Sequence, residues 1–236
     1  MAIDPLSFIA RRALEIDASG IRKVFDLAAK LKDPINLSIG QPDYDVPAAL
    51  KERAIAAIQA GMNKYTPTQG IGELIAPLKA KVARETGWVD GGGPAMLILS
   101  GTSAGLVLAM FASLNPGDEV LILDPFFVMY KHLPKLCGAV PVAVDSYPDF
   151  RLHAERLEAA VTPRTKMLVL CSPNNPTGMT LTKEELAAAA AIAKRHNLLV
   201  ISDEIYETFC YGPHYSIAPL LPEQCICSRG IPRPTA

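Results

Sequence analysis

The stretch KMLVLCSPNNPTG, residues 166–178, decides the fold. Its first half is an unbroken apolar run of strand length. Its second half is a cluster of turn formers. A strand without polar alternation is expected to be buried on both faces, which is the habit of parallel sheets. Proline, asparagine and glycine then end it. Working forward, TKEELAAAAAIAKRHN (182–197) predicts a helix opened by a capping box between Thr182 and Glu185. Its middle is apolar nearly all round, so burial is expected. LLVIS (198–202) predicts the next strand, and DEIYETF (203–209) follows it. Working back, AVPVAV (139–144) predicts a strand, with Pro141 pointing to a sheet edge. EVLILD (119–124) and AMLILS (95–100) predict two more, the latter feeding an apolar helix from Gly101. Apolar strands alternating with helices predict an α/β fold in three layers, α-β-α, with a mostly parallel sheet.

The N-terminal third is less regular. GIRKVFDLAAKLK (20–32) predicts a helix with one apolar face, and Ile35 to Ile39 a short strand broken by Gly40 and Pro42. Further helices are predicted from Pro47 to Ala60 and over residues 71–87, where Pro77 is expected to perturb the second. The expected domains are residues 1–45, an N-terminal arm with a small-domain segment, and 46–236, a large cofactor-binding domain that is incomplete.

Half of the 236 residues are hydrophobic and a fifth are charged, so the chain is globular. The net charge of -1 and the lack of a basic run argue against a nucleic-acid surface. Cys137, Cys171, Cys210, Cys225 and Cys227 form no CxxC pair, so no disulfide framework and no metal site is expected. That usage fits a reducing compartment. The N-terminus lacks the apolar core of a secretory signal, and no uncharged apolar run reaches membrane-spanning length. A soluble cytoplasmic protein is expected.

In a parallel sheet, ligands gather beyond the carboxyl ends of the strands. Gly101-Thr-Ser-Ala-Gly105 stands at one such end and opens a helix whose free N–H groups could cradle a phosphate; a capped helix start is the plainer reading. Pro125 to Tyr130 brings three aromatics, able to stack on a planar ring or to serve as core. Pro173 to Gly178 is a turn that could present an amide side chain. Asp203 ends a buried strand, where a carboxylate is costly unless paired; a protonated ring nitrogen is a suitable partner.

The order YTPTQG, SGTSAG, DPFFVMY, SPNNPTG, SDEIY closely resembles the class I/II aminotransferases, pyridoxal-phosphate enzymes of fold type I, from about Ile35 to about Glu223. The resemblance implies that Gly101, Thr102, Ser103 and Ala104 bind the phosphate of pyridoxal 5'-phosphate and that Phe127 stacks on its ring. It implies that Asn175 and Tyr206 hydrogen-bond the phenolic oxygen and that Asp203 pairs with the ring nitrogen. Gly40 and Asn175 would meet the substrate, and Tyr65 would reach the phosphate of a neighbouring subunit in a homodimer. The activity implied is transfer of an amino group from an amino acid, aspartate or aromatic, to a 2-oxo acid. A carbon–sulfur lyase or cyclopropane-forming synthase of the same fold, or a non-catalytic module retaining it, are the alternatives. A nicotinamide dehydrogenase ranks last, since no GxGxxG follows the first strand.

The family's Schiff-base lysine is expected near residues 230–235, but the last lysine is Lys194, inside a helix, where a solvated role is expected. The tail reads GIPRPTA (230–236) instead. Codons exist for this tail and a stop that read, in another frame, His-Ser-Lys-Thr-Tyr-Gly-Met, close to the family's lysine segment. A frame shift between Cys227 and Gly230 is therefore expected, leaving this chain inactive and without the family's C-terminal small domain. AMLILS is expected to lose the strand that would flank it, and the exposed edges to favour aggregation.

Overall fold

Five strands form one sheet, and every neighbouring pair in it is parallel. They are β1 (Glu119–Asp124), β2 (Val140–Asp145), β3 (Thr165–Cys171), β4 (Leu199–Asp203) and β5 (Cys225–Ser228). The spatial order is β2-β1-β3-β4-β5. The structure, a computed structural model, describes residues 4–16, 27, 30–33, 35, 44–88 and 95–231. Contacts divide the chain into two units, Met1–Thr66 with Pro232–Ala236, and Pro67–Ile231. The expected boundary after residue 45 falls inside the first unit. That unit contains a short helix α1 (Arg11–Leu14) and α2 (Ala48–Gln59), close to the helix predicted from Pro47.

The second unit holds the sheet and α3 (Gly72–Thr86), α4 (Gly101–Ser113), α5 (Val128–Leu136), α6 (Ala154–Ala159) and α7 (Lys183–Arg195). Side chains alternate across the sheet, and both faces are apolar. On one face Val120, Ile122, Met167, Val169, Cys171 and Ile201 pack with Leu106 and Met110 of α4 and Tyr130 and Leu133 of α5. On the other, Leu121, Leu168, Leu170 and Val200 pack with Leu157 of α6 and Leu186, Ala189 and Ala193 of α7. The expected three layers are present, and the strands are apolar without alternation because each face has its own helices.

Pro141 lies on β2, an edge strand, where a missing N–H costs no ladder bond. The Thr182 hydroxyl accepts from Glu185 N–H while the Glu185 carboxylate accepts from Thr182 N–H, closing the predicted capping box. Thr182→Ala is expected to lower stability by about 1 kcal/mol, read as a lower urea midpoint at unchanged slope.

Three points differ from expectation. AMLILS forms no strand: among the described residues it has no ladder partner, and Ile98 N–H donates instead to the Gln69 carbonyl. An extended apolar segment becomes a strand only when a neighbour takes its backbone groups. CICS (225–228), where no strand is predicted, forms β5, which pairs with β4 from Val200↔Cys225 to Asp203↔Ser228. Helix α7 buries one face and leaves Ala187 and Ala191 exposed, because an outer layer meets the sheet on one side only. Pro77 sits within α3, which runs on past it to Thr86. The helix and strand predicted between residues 20 and 39 fall mainly outside the described residues, as do Gly40 and residues 232–236.

Candidate active site

Parallel strands bring all their carboxyl ends to one edge of the sheet, so the segments after β1, β3, β4 and β5 become neighbours there. Cys171 is in register with Asp203, and Asp203 with Ser228. Past the ends the pairing continues: Ser172 N–H donates to the Asp203 carbonyl at 3.0 Å and Glu204 N–H to the Ser228 carbonyl at 2.8 Å.

Asp203 closes β4 and is 2% exposed. Its Oδ2 accepts from the Tyr130 hydroxyl at 2.7 Å and its Oδ1 from Ile205 N–H at 3.2 Å. Burial pushes the Asp203 pKa up; the two donors pull it back, and the neighbouring Glu204 carboxylate adds to the rise. Two carboxylate oxygens offer about four lone-pair positions. One donor on each leaves room for a cation, which is the partner a buried acid at a strand end calls for.

Phe127 follows β1 and caps α5; its half-buried ring meets Tyr130 edge-on, with centroids 5.7 Å apart. In the SPNNPTG turn the two asparagines separate in role. Asn174 holds the turn, accepting from Thr177 N–H and hydroxyl and donating to the Pro125 carbonyl. Asn175 instead reaches across to the segment after β4, its Nδ2 donating to the Tyr206 hydroxyl at 3.4 Å. Gly178 closes the turn with φ 73°, a left-handed conformation that glycine takes without strain.

Gly101, with φ 79°, turns the extended segment 95–100 into α4. No side chain caps this helix, so the first turn through Thr102, Ser103 and Ala104 keeps backbone donors and the positive end of the helix dipole. Helix α4 packs on α5 and β5, and a Cβ on Gly105 would meet Ser228 Oγ at 3.6 Å. Tyr65, in the other unit, is fully exposed. Lys194 projects from α7 into solvent.

Two groups at this edge were not singled out by the sequence. Tyr130 lies three positions after Phe127, a spacing that puts both on one helical face, yet DPFFVMY offers three aromatics without saying which one meets an acid. Behind β4 and β5, Arg229 donates to Glu204 Oε2 at 2.5 Å, Glu207 Oε2 at 2.7 Å and Glu85 Oε2 at 3.2 Å. His214 converges with Glu204 and Glu207, and those two carboxylates are already paired, Glu204 with Arg229 and Glu207 with Arg229 and Lys81. Burial raises the thiols of Cys171, to about 11, and Cys225, to about 12. Both stay protonated at neutral pH, so neither is an activated nucleophile.

The sequence profile described as "Aminotransferase class I and II" matches residues 32–228. The chain is 41% identical over 209 residues to the aspartate aminotransferase of Pyrococcus abyssi, covering 87% of this chain and 54% of that one. It is 40% identical over 209 residues to aromatic-amino-acid aminotransferase 2 of Thermococcus litoralis, again covering 87% and 54%. The crystal structure of Thermus thermophilus aspartate aminotransferase with maleate superposes with a TM-score of 0.87 at 36% identity, covering 94% of this chain and 60% of that one. The chain spans about half the length of the curated relatives it matches. Among the described residues no helix is long and apolar enough to cross a membrane.

Proposed function

The chain belongs to the class I and II aminotransferases, and from that premise we propose that it is the cofactor-binding part of an enzyme that moves an amino group from an aspartate-like or aromatic amino acid to a 2-oxo acid. Members of this family use pyridoxal 5'-phosphate. When bound, that group supplies an electron-withdrawing ring that eases loss of the proton on the α-carbon of an amino acid.

The residues of this chain fit the group. The observation that carries the reading is Asp203, a buried carboxylate at the end of β4 with one donor on each oxygen and room for another. As an anion it holds a proton on the ring nitrogen. Asn175 and Tyr206 lie side by side, and the Tyr206 hydroxyl, accepting from Asn175, keeps its own proton to give to the phenolic oxygen. The uncapped start of α4, with the hydroxyls of Thr102 and Ser103, suits the phosphate. Phe127 supplies a face for the ring. Gly40 and Asn175 are proposed to meet the substrate, and Tyr65 to serve the site of a second subunit in a homodimer.

The sequence has no lysine after Lys194. The 236-residue chain is therefore proposed to hold the cofactor without a covalent bond from a strand-end lysine, and not to transaminate. The fluorescence of the lone tryptophan, Trp88, or calorimetry can follow a pyridoxal-phosphate titration. Saturable binding that is weakened about 10- to 100-fold in Asp203→Asn is expected; absence of binding sinks the reading. For the inactivity, amino transfer from aspartate to 2-oxoglutarate should be undetectable with this chain. Restoring the other frame after Gly230 should introduce the lysine and with it activity. Turnover by the 236-residue chain itself contradicts the proposal, and so does a resequenced locus with no SK…GWR-like sequence in any frame downstream.

A further inference from the structure

Tyr130 touches both the ring of Phe127 and the carboxylate of Asp203. It is 3% exposed, so its hydroxyl needs a protein partner. That partner is Asp203 Oδ2 at 2.7 Å, whereas the other donor on this carboxylate, Ile205 N–H, sits at 3.2 Å on Oδ1. The ionised carboxylate has no proton to give, so the phenol is the donor. Cys171 packs beside the same phenol but its own S–H points to the Pro173 carbonyl at 3.2 Å, so the phenol proton is left for the acid.

We propose that Tyr130 is a positioning residue for the cofactor ring: its hydroxyl fixes the Asp203 carboxylate in one orientation, with its free lone pairs turned toward the ring nitrogen, while its own ring supports Phe127 from the edge. This rests on the reading of Asp203 given under Proposed function. Three features carry it. The bond joins α5 to β4 across 73 residues of sequence, so it is made by the tertiary fold and not by local geometry. Burial and the nearby Asp203 carboxylate hold the Tyr130 proton far above the ordinary phenol range, so the hydroxyl remains a donor at every working pH. Finally, the charged groups around Asp203 otherwise oppose its ionisation: burial and the Glu204 carboxylate both favour the neutral acid, and Tyr130 is the strongest group on the other side. Without that donor the carboxylate could rotate, and its anionic form would rest on the Ile205 N–H alone.

The test uses the full 236-residue chain and two probes, pyridoxal 5'-phosphate and a carbocyclic analogue that keeps the phosphate, the aldehyde and the phenol but has carbon in place of the ring nitrogen. Tyr130→Phe keeps the ring and removes the donor. It is expected to weaken pyridoxal phosphate about tenfold, the size of one hydrogen bond to a charged group, and to leave the analogue within about twofold. In an Asp203→Asn background the same change should have no further effect on either probe. Equal weakening of both probes would mean a packing role and overturns the proposal, as does no weakening of either. If the parent chain binds both probes equally, the assignment of Asp203 to the ring nitrogen fails first and the proposal falls with it. A measurement without cofactor decides independently: the carboxyl carbon signal of Asp203, followed by NMR, should titrate at higher pH in Tyr130→Phe than in the parent. An unchanged midpoint overturns the proposal even where binding is altered.

Discussion

Asp203→Asn is expected to weaken pyridoxal-phosphate binding by the chain about 10- to 100-fold, the range for losing a hydrogen bond to a charged group in a buried site. The same substitution should flatten the pH dependence of stability, with the following sign. Burial raises the native pKa of Asp203 above the 3.8 of a free aspartate side chain. In the interval between the unfolded and native values the native state binds the proton that the unfolded state has released, so stability falls as pH rises through it. Above the interval the deficit persists in full. Asparagine has no proton to lose, so the stability of Asp203→Asn relative to the parent should rise as pH climbs above 3.8. Urea unfolding midpoints at a series of pH values read this directly. A difference that is constant with pH, or a variant that binds the cofactor as tightly as the parent, would dispose of the assignment. The pairing of weaker binding with a relative gain in stability is what distinguishes a carboxylate kept for a ligand from one kept for the fold.

Arg229→Met is expected to carry the largest stability cost, about 3–5 kcal/mol, because it strips one partner from a buried ion cluster. The Arg229 side chain is 11% exposed and joins Glu204, itself 1% exposed, to Glu207 and Glu85. Methionine fills a similar volume but leaves Glu204 with only the hydroxyls of Ser202 and Ser216 and no countercharge. Lys81 still reaches Glu207 and Glu85, so the damage should concentrate on Glu204. A second change, Glu204→Gln, should therefore recover much of the loss, giving a large coupling in a double-mutant cycle. Additive effects would show that the arginine acts through Glu207 and Glu85 and not through Glu204. Because the cluster ties the end of β5 to α3, loss of Arg229 should also speed amide exchange in β5 before the rest of the sheet.

Much of the sheet was legible in the sequence because parallel strands buried on both faces leave unbroken apolar runs. EVLILD, KMLVLCS and LLVIS are such runs, and each became a strand. The capping box at Thr182 was legible because it is written in residues three apart and closed by local bonds. AMLILS shows the limit. It has the same composition, but strand formation depends on a partner far away in sequence, and in this structure its carbonyl and amide groups find no ladder. CICS shows the converse: four residues with two cysteines and a serine carry no strand signal, yet β4 offers them a ladder and they take it.

The site divides along the same line. The sequence by itself determined which residue types stand at the strand ends: an acid after LLVIS, two asparagines after KMLVLCS, an aromatic run after EVLILD and a small-residue helix start after AMLILS. Each follows from local chemistry, since a strand that stops and a helix that starts must be written in consecutive residues. Only the tertiary structure decided how those ends combine. It separated Asn174, spent on the turn, from Asn175, which reaches Tyr206; it chose Tyr130 among three aromatics as the donor to Asp203; and it gathered Glu85, Glu204 and Glu207 around Arg229. These pairings join residues up to 144 positions apart, and nothing in a local pattern encodes them. They exist because a parallel sheet lays every carboxyl end along one edge, where groups that are strangers in the sequence must satisfy one another's charges and hydrogen bonds.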